Sequence, residues 1–166
     1  MQVTDQPGTV TQPVWSRDGT RAVASGNVSS KLWMFDPRLP AGQQTVEEWP
    51  PLPSRFIPIS SSPDGTRIAG HVAGAGARLV VYTLSSRTCE DATLGGSSPE
   101  WLPDSRRLLY SSGRELRLLD PTTKISRPLF SSPGEGFGAP GLSPDAREIY
   151  VVISKAQSDI VLAKLK

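Results

Sequence analysis

The chain has 166 residues, enough for one domain with a buried core. Its 18 basic and 16 acidic side chains are scattered along the sequence, which gives no reason to expect nucleic-acid binding. The 16 prolines and 15 glycines favour short strands and tight turns over long helices. No stretch approaches the roughly 18 apolar residues of a membrane span, so no membrane insertion is predicted.

The single cysteine, Cys89, excludes an intramolecular disulfide and a cysteine-based zinc site. Residues 1–15 contain no apolar run flanked by basic residues, so no secretory signal is visible. The compartment therefore stays open. A cytoplasmic location is expected if the sequence is the full chain, and a periplasmic one fits if it is part of a longer chain.

One turn pattern occurs four times along the chain, at residues 15–21, 61–67, 101–107 and 142–148. The aspartates of these turns, at positions 18, 64, 104 and 145, are spaced by 46, 40 and 41 residues. Proline presets φ in such a turn, aspartate bonds nearby backbone amides, and glycine supplies a positive φ. A period of this length is typical of β-propellers.

Each turn lies within a predicted unit of short antiparallel strands. Apolar segments follow the turns at 22–24, 68–70, 108–110 and 149–152, so each unit begins as a hairpin. A third strand is predicted at 32–35, 79–82, 116–119 and 160–163, where the first and third positions are always apolar. A weaker fourth strand is predicted in three units, at 44–46, 88–90 and 124–126. Four such strands form a propeller blade.

The predicted fold is therefore an all-β propeller of four-stranded antiparallel blades, with about four blades present. Their approximate limits are 9–54, 55–97, 98–138 and 139–166. The last blade lacks its outer strand. Residues 1–8 either supply that strand or are the remnant of a preceding blade.

The repeat resembles that of the TolB-type propellers, which are related to the tryptophan–aspartate-repeat propellers. The resemblance is carried by residues 13–19 (Pro-Val-Trp-Ser-Arg-Asp-Gly), 62–65 (Ser-Pro-Asp-Gly) and 120–124 (Asp-Pro-Thr-Thr-Lys), the last being similar to the family's turn after the third strand. Ser105 and Ala146 stand where the family usually has glycine, so a different turn geometry is expected there.

The resemblance implies a platform for protein interaction or ligand binding. Related propellers usually have six to eight blades, so the chain is expected to be part of a larger propeller, with a closed four-bladed ring as the alternative. Self-association, in which two chains complete one eight-bladed ring, is a further hypothesis.

No catalytic constellation is apparent. The sequence has no Gly-x-Ser-x-Gly elbow, and its one histidine, His71, is predicted to lie in a solvated loop. The glycine-rich stretch 70–76 lacks the lysine of a phosphate-binding loop. The aspartate turns lack the further carboxylates of a calcium loop. We therefore predict a non-enzyme without a cofactor or a bound metal.

Tryptophans are the remaining candidates for ligand contact. Trp15 and Trp101 occupy the same repeat position, which predicts packing between blades. Trp49 is placed less regularly in the repeat, so the sequence does not decide whether its side chain is buried or exposed.

Propeller geometry indicates where a partner would bind. Loops between blades, and loops between second and third strands, are expected to gather on one face. The candidate residues of that loop face are Asn27, Arg55, His71, Arg114 and Phe137. The predicted function is a non-catalytic, bacterial-type scaffold that binds a protein or peptide partner. The alternatives are a substrate-gating propeller of a prolyl-oligopeptidase-type hydrolase and a sensor propeller attached to a bacterial Ser/Thr kinase.

Overall fold

The computed structural model describes residues 10–26, 31–49, 55–72 and 78–155. Within these ranges the chain forms fourteen strands in four antiparallel sheets. The predicted strand at 160–163 and residues 1–8 lie outside the described residues.

The strands follow one another in each sheet in chain order. The first sheet contains β1 (Val10–Trp15), β2 (Ala22–Gly26), β3 (Leu32–Phe35) and β4 (Glu47–Trp49), with a short 3₁₀ helix at Ala41–Gln43 before the last strand. The second sheet contains β5 (Phe56–Ser61), β6 (Arg67–Val72), β7 (Arg78–Thr83) and β8 (Thr88–Leu94). The third sheet contains β9 (Ser97–Trp101), β10 (Leu108–Ser112), β11 (Glu115–Asp120) and β12 (Ile125–Ser131), and the fourth contains β13 (Gly136–Leu142) and β14 (Ile149–Ser154).

The first strand of each sheet contacts the first strand of the next: β1 contacts β5, β5 contacts β9, and β9 contacts β13. These four are the inner strands of the array, and the others extend outward from them. The arrangement confirms the predicted all-β propeller fold. The blade limits themselves stay a prediction.

Every inner strand carries a β-bulge against the second strand of its sheet. A proline lies in or beside each bulge, namely Pro13, Pro58, Pro99 and Pro140. Because proline has no N–H to donate, it fits where the ladder is already interrupted, and the bulge bends the strand.

The turn after each inner strand is closed by its aspartate. In the first turn the Gly19 N–H donates to the Ser16 carbonyl at 2.9 Å. The Asp18 carboxylate accepts from the Ser16 hydroxyl at 2.6 Å and from the Thr20 N–H at 3.0 Å. The turns at residues 62–67 and 143–148 repeat the serine-to-aspartate bond. The side chain thus satisfies amides that the reversal leaves without a ladder partner.

The expectation of a different turn geometry at Ser105 and Ala146 was wrong. Both residues adopt φ +54°, the left-handed region that Gly19 and Gly65 occupy at φ +69°. Their N–H groups also close the same four-residue turn, at 3.0 and 2.8 Å. A side chain in this region costs about 1–2 kcal/mol, which the closed hairpin tolerates.

The apolar core lies between neighbouring sheets. Between the first and second sheets, one buried cluster joins Val23, Leu32, Trp49, Phe56, Ile68, Val80 and Tyr82. Trp49 is 3% exposed and stacks on Tyr82, with ring centroids 4.9 Å apart and an interplanar angle of 8°. Trp49 is therefore a buried core residue and not an exposed ligand platform.

The second and third sheets share a cluster of the same kind, formed by Ala69, Leu79, Val81, Ala92, Trp101, Leu108, Tyr110 and Leu119. Successive residues of a middle strand enter different clusters, as Val80 and Val81 do. The reason is the two-residue period of a strand, which gives each sheet one face for each neighbour.

Polar contacts fix how the second and third sheets sit against each other. The backbone N–H of Trp101 donates to the Ser60 hydroxyl at 3.2 Å, and the backbone N–H of Asp64 donates to the Ser105 hydroxyl at 3.0 Å. The Arg67 guanidinium donates to the Ser105 carbonyl and lies 4.7 Å from the centre of the Trp101 ring. These bonds set the position of one inner strand relative to the next.

The left-handed turns predict opposite effects of two substitutions. Gly65→Ala is expected to lower the free energy of unfolding by about 1 kcal/mol, because a Cβ there meets no atom within 4 Å but strains the backbone. Ala146→Gly is expected to raise it by about 0.5 kcal/mol, since it removes that strain at a cost in chain entropy. Urea unfolding at pH 7 measures both. Equal midpoints for all three proteins would contradict the turn assignment.

The aspartate turns also predict sensitivity to acid. The Ser16 hydroxyl, and then the Thr20 N–H, lower the pKa of Asp18 from 3.8 to about 2. The Ser143 hydroxyl similarly lowers the pKa of Asp145. A lowered pKa in the folded state gives stability that is complete above the unfolded value and is lost as the pH falls toward the folded value.

A variant carrying Asp18→Asn and Asp145→Asn tests this directly. The amide oxygen still accepts the turn bonds but has no proton to gain. The double variant is therefore expected to lose less stability than the parent chain between pH 4 and pH 2, as measured by urea unfolding at each pH. Parallel pH curves for the two proteins would show that these carboxylates do not govern acid unfolding.

Candidate functional site

Strand direction gives the propeller two distinct ends. Each inner strand runs from the connection between blades to its aspartate turn. The four aspartate turns therefore gather at one end, which we name the turn end. The opposite ends of the inner strands, together with the turn at residues 113–114 between β10 and β11, form the other end, which we name the loop end. The described candidate residues Arg55, His71, Arg114 and Phe137 belong to the loop end.

An open cavity of about 570 Å³ lies at the turn end, and residues from all four inner strands line it. Trp15, Ser61, Trp101 and Leu142 are equivalent positions that all contribute, each three residues before an aspartate. Pro63, Pro103 and Pro144, each directly before an aspartate, also line the wall. The repeat thus places one set of positions from every blade around a single space.

The two equivalent tryptophans have different roles. Trp101 is 3% exposed and belongs to the cluster between the second and third sheets, with Arg67 over its ring. The prediction of packing between blades is confirmed for this residue. Trp101 is covered by the preceding sheet, and no described residue precedes the first sheet, so Trp15 is 51% exposed and the same prediction stays untested for it. The backbone of Trp15 still contacts the next blade, because its carbonyl accepts from the Ser61 hydroxyl at 2.5 Å. The Trp15 ring is consequently a large apolar surface at the cavity that solvent reaches.

Glu100 is the one carboxylate among the described residues that line this cavity. It precedes Trp101 in β9 and is half-buried. Burial raises its pKa above the ordinary value of 4.5, and no neighbouring charge opposes that effect. Arg17 also lines the cavity and is exposed. The wall therefore combines aromatic and proline surface with one carboxylate and one guanidinium.

His71 lies in a strand, so the prediction of a loop histidine was wrong. It stands in β6, opposite Ile57 of β5 and Leu79 of β7, because pairing on both sides continues to Val72. The side chain is half-buried. Burial, and then the positive charge of Arg55, lower its pKa below 6.5. Arg55 directly precedes β5 and is also half-buried. Because its charge acts on His71, these two candidate residues are neighbours.

Arg114 and Phe137 both lie where the third blade adjoins the fourth. Arg114 follows Gly113 in the turn between β10 and β11, and its guanidinium donates to the Pro133 carbonyl at 2.7 Å. The Phe137 N–H donates to the Gly113 carbonyl at 3.0 Å. Asn27 lies outside the described residues. None of the four described candidates lines the turn-end cavity, and binding at the loop end stays a prediction.

The described residues hold little that suggests catalysis or metal binding. No three of their His, Cys, Asp or Glu side chains are close enough together to hold a metal ion. Burial, and then the negative charge of Asp91, raise the pKa of Cys89 to about 11, so its thiol stays protonated at neutral pH. No helix in the same part of the chain is long and apolar enough to cross a membrane.

Sequence reasoning missed the turn-end cavity, although the signal for it was present. Taken one at a time, each aspartate turn predicts only a local hairpin. The residues just before these turns recur at equivalent positions of strands that converge, so they had to meet around one space. Trp15 belongs to this set of equivalent positions, and Glu100 lies one residue before the member of the set in β9.

The chain matches no family model and no curated protein. Solved structures are similar to it in fold. A putative TolB from Agrobacterium tumefaciens superposes with a TM-score of 0.70 at 17% identity, over 93% of this chain and 64% of that one. TolB from Acinetobacter baumannii gives 0.67 at 19% identity, over 92% and 39%.

The β-propeller domain of Cps50 (Swd1) from Myceliophteria thermophila gives a TM-score of 0.61 at 14% identity, over 90% of this chain and 50% of that one. The chain thus spans less than two thirds of the length of each of these structures. At such low identities the likeness concerns the fold alone, and it identifies that fold as a TolB-like β-propeller.

Proposed function

We propose that the chain is a non-catalytic binding module that holds an extended segment of a partner protein in the turn-end cavity. One observation carries the proposal: equivalent positions of all four inner strands line a single concave site. Trp15 contributes aromatic surface to that site, and aromatic side chains in concave sites are common anchors of protein recognition.

The chemistry of the wall supports recognition of an extended segment. A cavity of about 570 Å³ falls within the range of ordinary ligand sites. Prolines 63, 103 and 144 present apolar surface without an N–H group, so contacts to a partner would come mainly from side chains. Each inner strand is the edge strand of its sheet and is paired on one side only, but the bulge and the proline in it interrupt the free edge, which disfavours strand addition there.

The described part of the chain offers no acid–base pair in this cavity to support a catalytic alternative. His71 stands at the loop end, whereas Glu100 stands at the turn end. A gating propeller of a hydrolase and a sensor propeller of a kinase stay predictions. Either would use the same cavity within a longer chain, and the domains encoded beside it would distinguish them.

A phage-displayed library of random ten-residue peptides, selected on the purified chain, tests the proposal. Trp15→Ala is expected to weaken the selected peptides by about tenfold or more, because truncation of an aromatic anchor removes most of its buried area. Isothermal titration calorimetry measures the dissociation constants, and circular dichroism checks the fold of each variant.

Two loop-end substitutions, His71→Asn and Phe137→Ala, serve as matched controls and are expected to leave binding unchanged. Loss of binding in these variants, with Trp15→Ala unaffected, would move the site to the loop end. A library that yields no binder at all would contradict the proposed function.

A further inference from the structure

β14 ends the fourth sheet with one unpaired side among the described residues. It pairs with β13 alone, whereas β2, β6 and β10, the second strands of the other sheets, are paired on both sides. The middle residues of those three strands are buried. In β14, by contrast, Tyr150 and Val152 are each 59% exposed and Ile153 is 54% exposed. Within the described part of the chain, β14 therefore lacks the third strand that pairs with its equivalents.

Exposed apolar side chains are concentrated at this end of the array. Of the ten large apolar residues that are exposed among the described ones, seven lie in β12 and β14. β14 also contains no charged residue, proline or glycine between Ile149 and Ser154. A strand edge of this composition pairs readily with other extended segments, so natural proteins cover such edges. The sequence that follows β14 contains a segment suited to cover it.

The register between second and third strands is the same in the three four-stranded sheets. In each, the residue four positions after the turn aspartate pairs with the fourth residue of the third-strand segment identified from sequence. These pairs are Ala22 with Phe35, Ile68 with Tyr82, and Leu108 with Leu119. The common register specifies how a third strand would pair with β14, since a slip by one residue would turn every side chain to the other face.

Residues 160–163 have the composition and the distance from β14 that this register requires. The segment reads Ile-Val-Leu-Ala, and its first and third positions are apolar, as in the third-strand segments 32–35, 79–82 and 116–119. Residues 155–159 separate it from β14, a length of five that equals the connections at 27–31 and 73–77. The common register would place Ala163 opposite Ile149.

We infer that residues 160–163 add to the free edge of β14 as the third strand of the fourth sheet, with Val161 opposite Val151 and Ile160 opposite Val152. The pairing gives the outward N–H and C=O groups of β14 their hydrogen-bond partners and places apolar side chains beside those of β14. It also prevents the same edge from pairing with a second copy of the chain. The site is separate from the turn-end cavity, whose described lining in the fourth blade is 142–144 and 146.

Charges next to the segment favour it as the last strand of the sheet. Asp159 precedes the segment and Lys164 follows it, whereas β14 contains no charge. Charged side chains on or beside an edge strand disfavour pairing with another chain. A sheet that ends in residues 160–163 is therefore better protected from association than one that ends in β14.

Cysteine pairs test the register in the full chain, with Cys89→Ser as the background. Val151→Cys with Val161→Cys, and Val152→Cys with Ile160→Cys, place thiols directly opposite each other. Two successive pairs are made because opposite positions in an antiparallel ladder alternate between wide and narrow spacing, and the narrow spacing suits a disulfide. The matched control is Val151→Cys with Ile160→Cys, which is out of register by one residue, so its side chains point to opposite faces.

One of the two in-register pairs is expected to form its intramolecular disulfide about tenfold faster than the control pair, because its sulfurs are held within bonding distance. Mass spectrometry of the digested, unreduced protein measures the rate during mild oxidation at low protein concentration.

A second test does not depend on cysteine. Ile160→Pro with Val161→Pro removes two successive N–H groups, one of which points at β14 because N–H directions alternate along a strand. Leu165→Pro with Lys166→Pro, beyond the paired residues, is the matched control. The first variant is expected to exchange the outward amides of β14 about tenfold faster than the control. It is also expected to self-associate at concentrations where the control does not. Hydrogen exchange followed by NMR, and light scattering, measure the two effects.

The outcomes distinguish the possible occupants of the edge. Equal rates for the in-register and shifted cysteine pairs, or unchanged exchange of β14 in the Ile160→Pro, Val161→Pro variant, would overturn the inference. Disulfides that form only between molecules would show that the segment of a second copy occupies the edge, and would overturn it as well. Binding in the turn-end cavity is measured separately with the peptide library, so failure of this inference leaves the proposed function standing.

Discussion

Contact between the faces of neighbouring sheets is the interaction on which this structure depends. One four-stranded sheet has two apolar faces and no core of its own, so each must be buried against the next blade. The cluster around Trp101 and the stack of Trp49 on Tyr82 both serve this purpose. Because the sheets stack in chain order, their inner strands converge. The cavity at the turn end is a direct consequence of that stacking.

The walls of this cavity differ from blade to blade although the positions that form them are equivalent. Trp101 is covered by the preceding blade, whereas Trp15, in the first described blade, is half-exposed. Glu100 is half-buried, which raises the pKa of its carboxyl above the ordinary value. Equivalent positions therefore present different chemical groups to one concave space, and this is the physical basis for the proposed binding site.

Local patterns predicted the hairpins well, because turn chemistry and a two-residue period act over a few neighbouring residues. Asp18 and Asp64 close their turns as their sequence neighbours imply. The errors concern contacts between distant residues. His71 is in a strand because pairing on both sides extends past it, and the left-handed conformation of Ala146 is imposed by the closed hairpin. The exposure of Trp15 and the cavity itself depend on how whole blades pack, which no single repeat encodes.

Mapping of amide chemical shifts by NMR tests the central claim most directly. The measurement would follow the backbone amides of the isotopically labelled chain during titration with the tightest peptide from the library. Binding in the turn-end cavity predicts that the largest changes lie at residues 15, 17, 60–61, 100–101 and 142–143, which line that cavity. Changes concentrated instead at residues 71, 113–114 and 137 would place the partner at the loop end and contradict binding in the turn-end cavity.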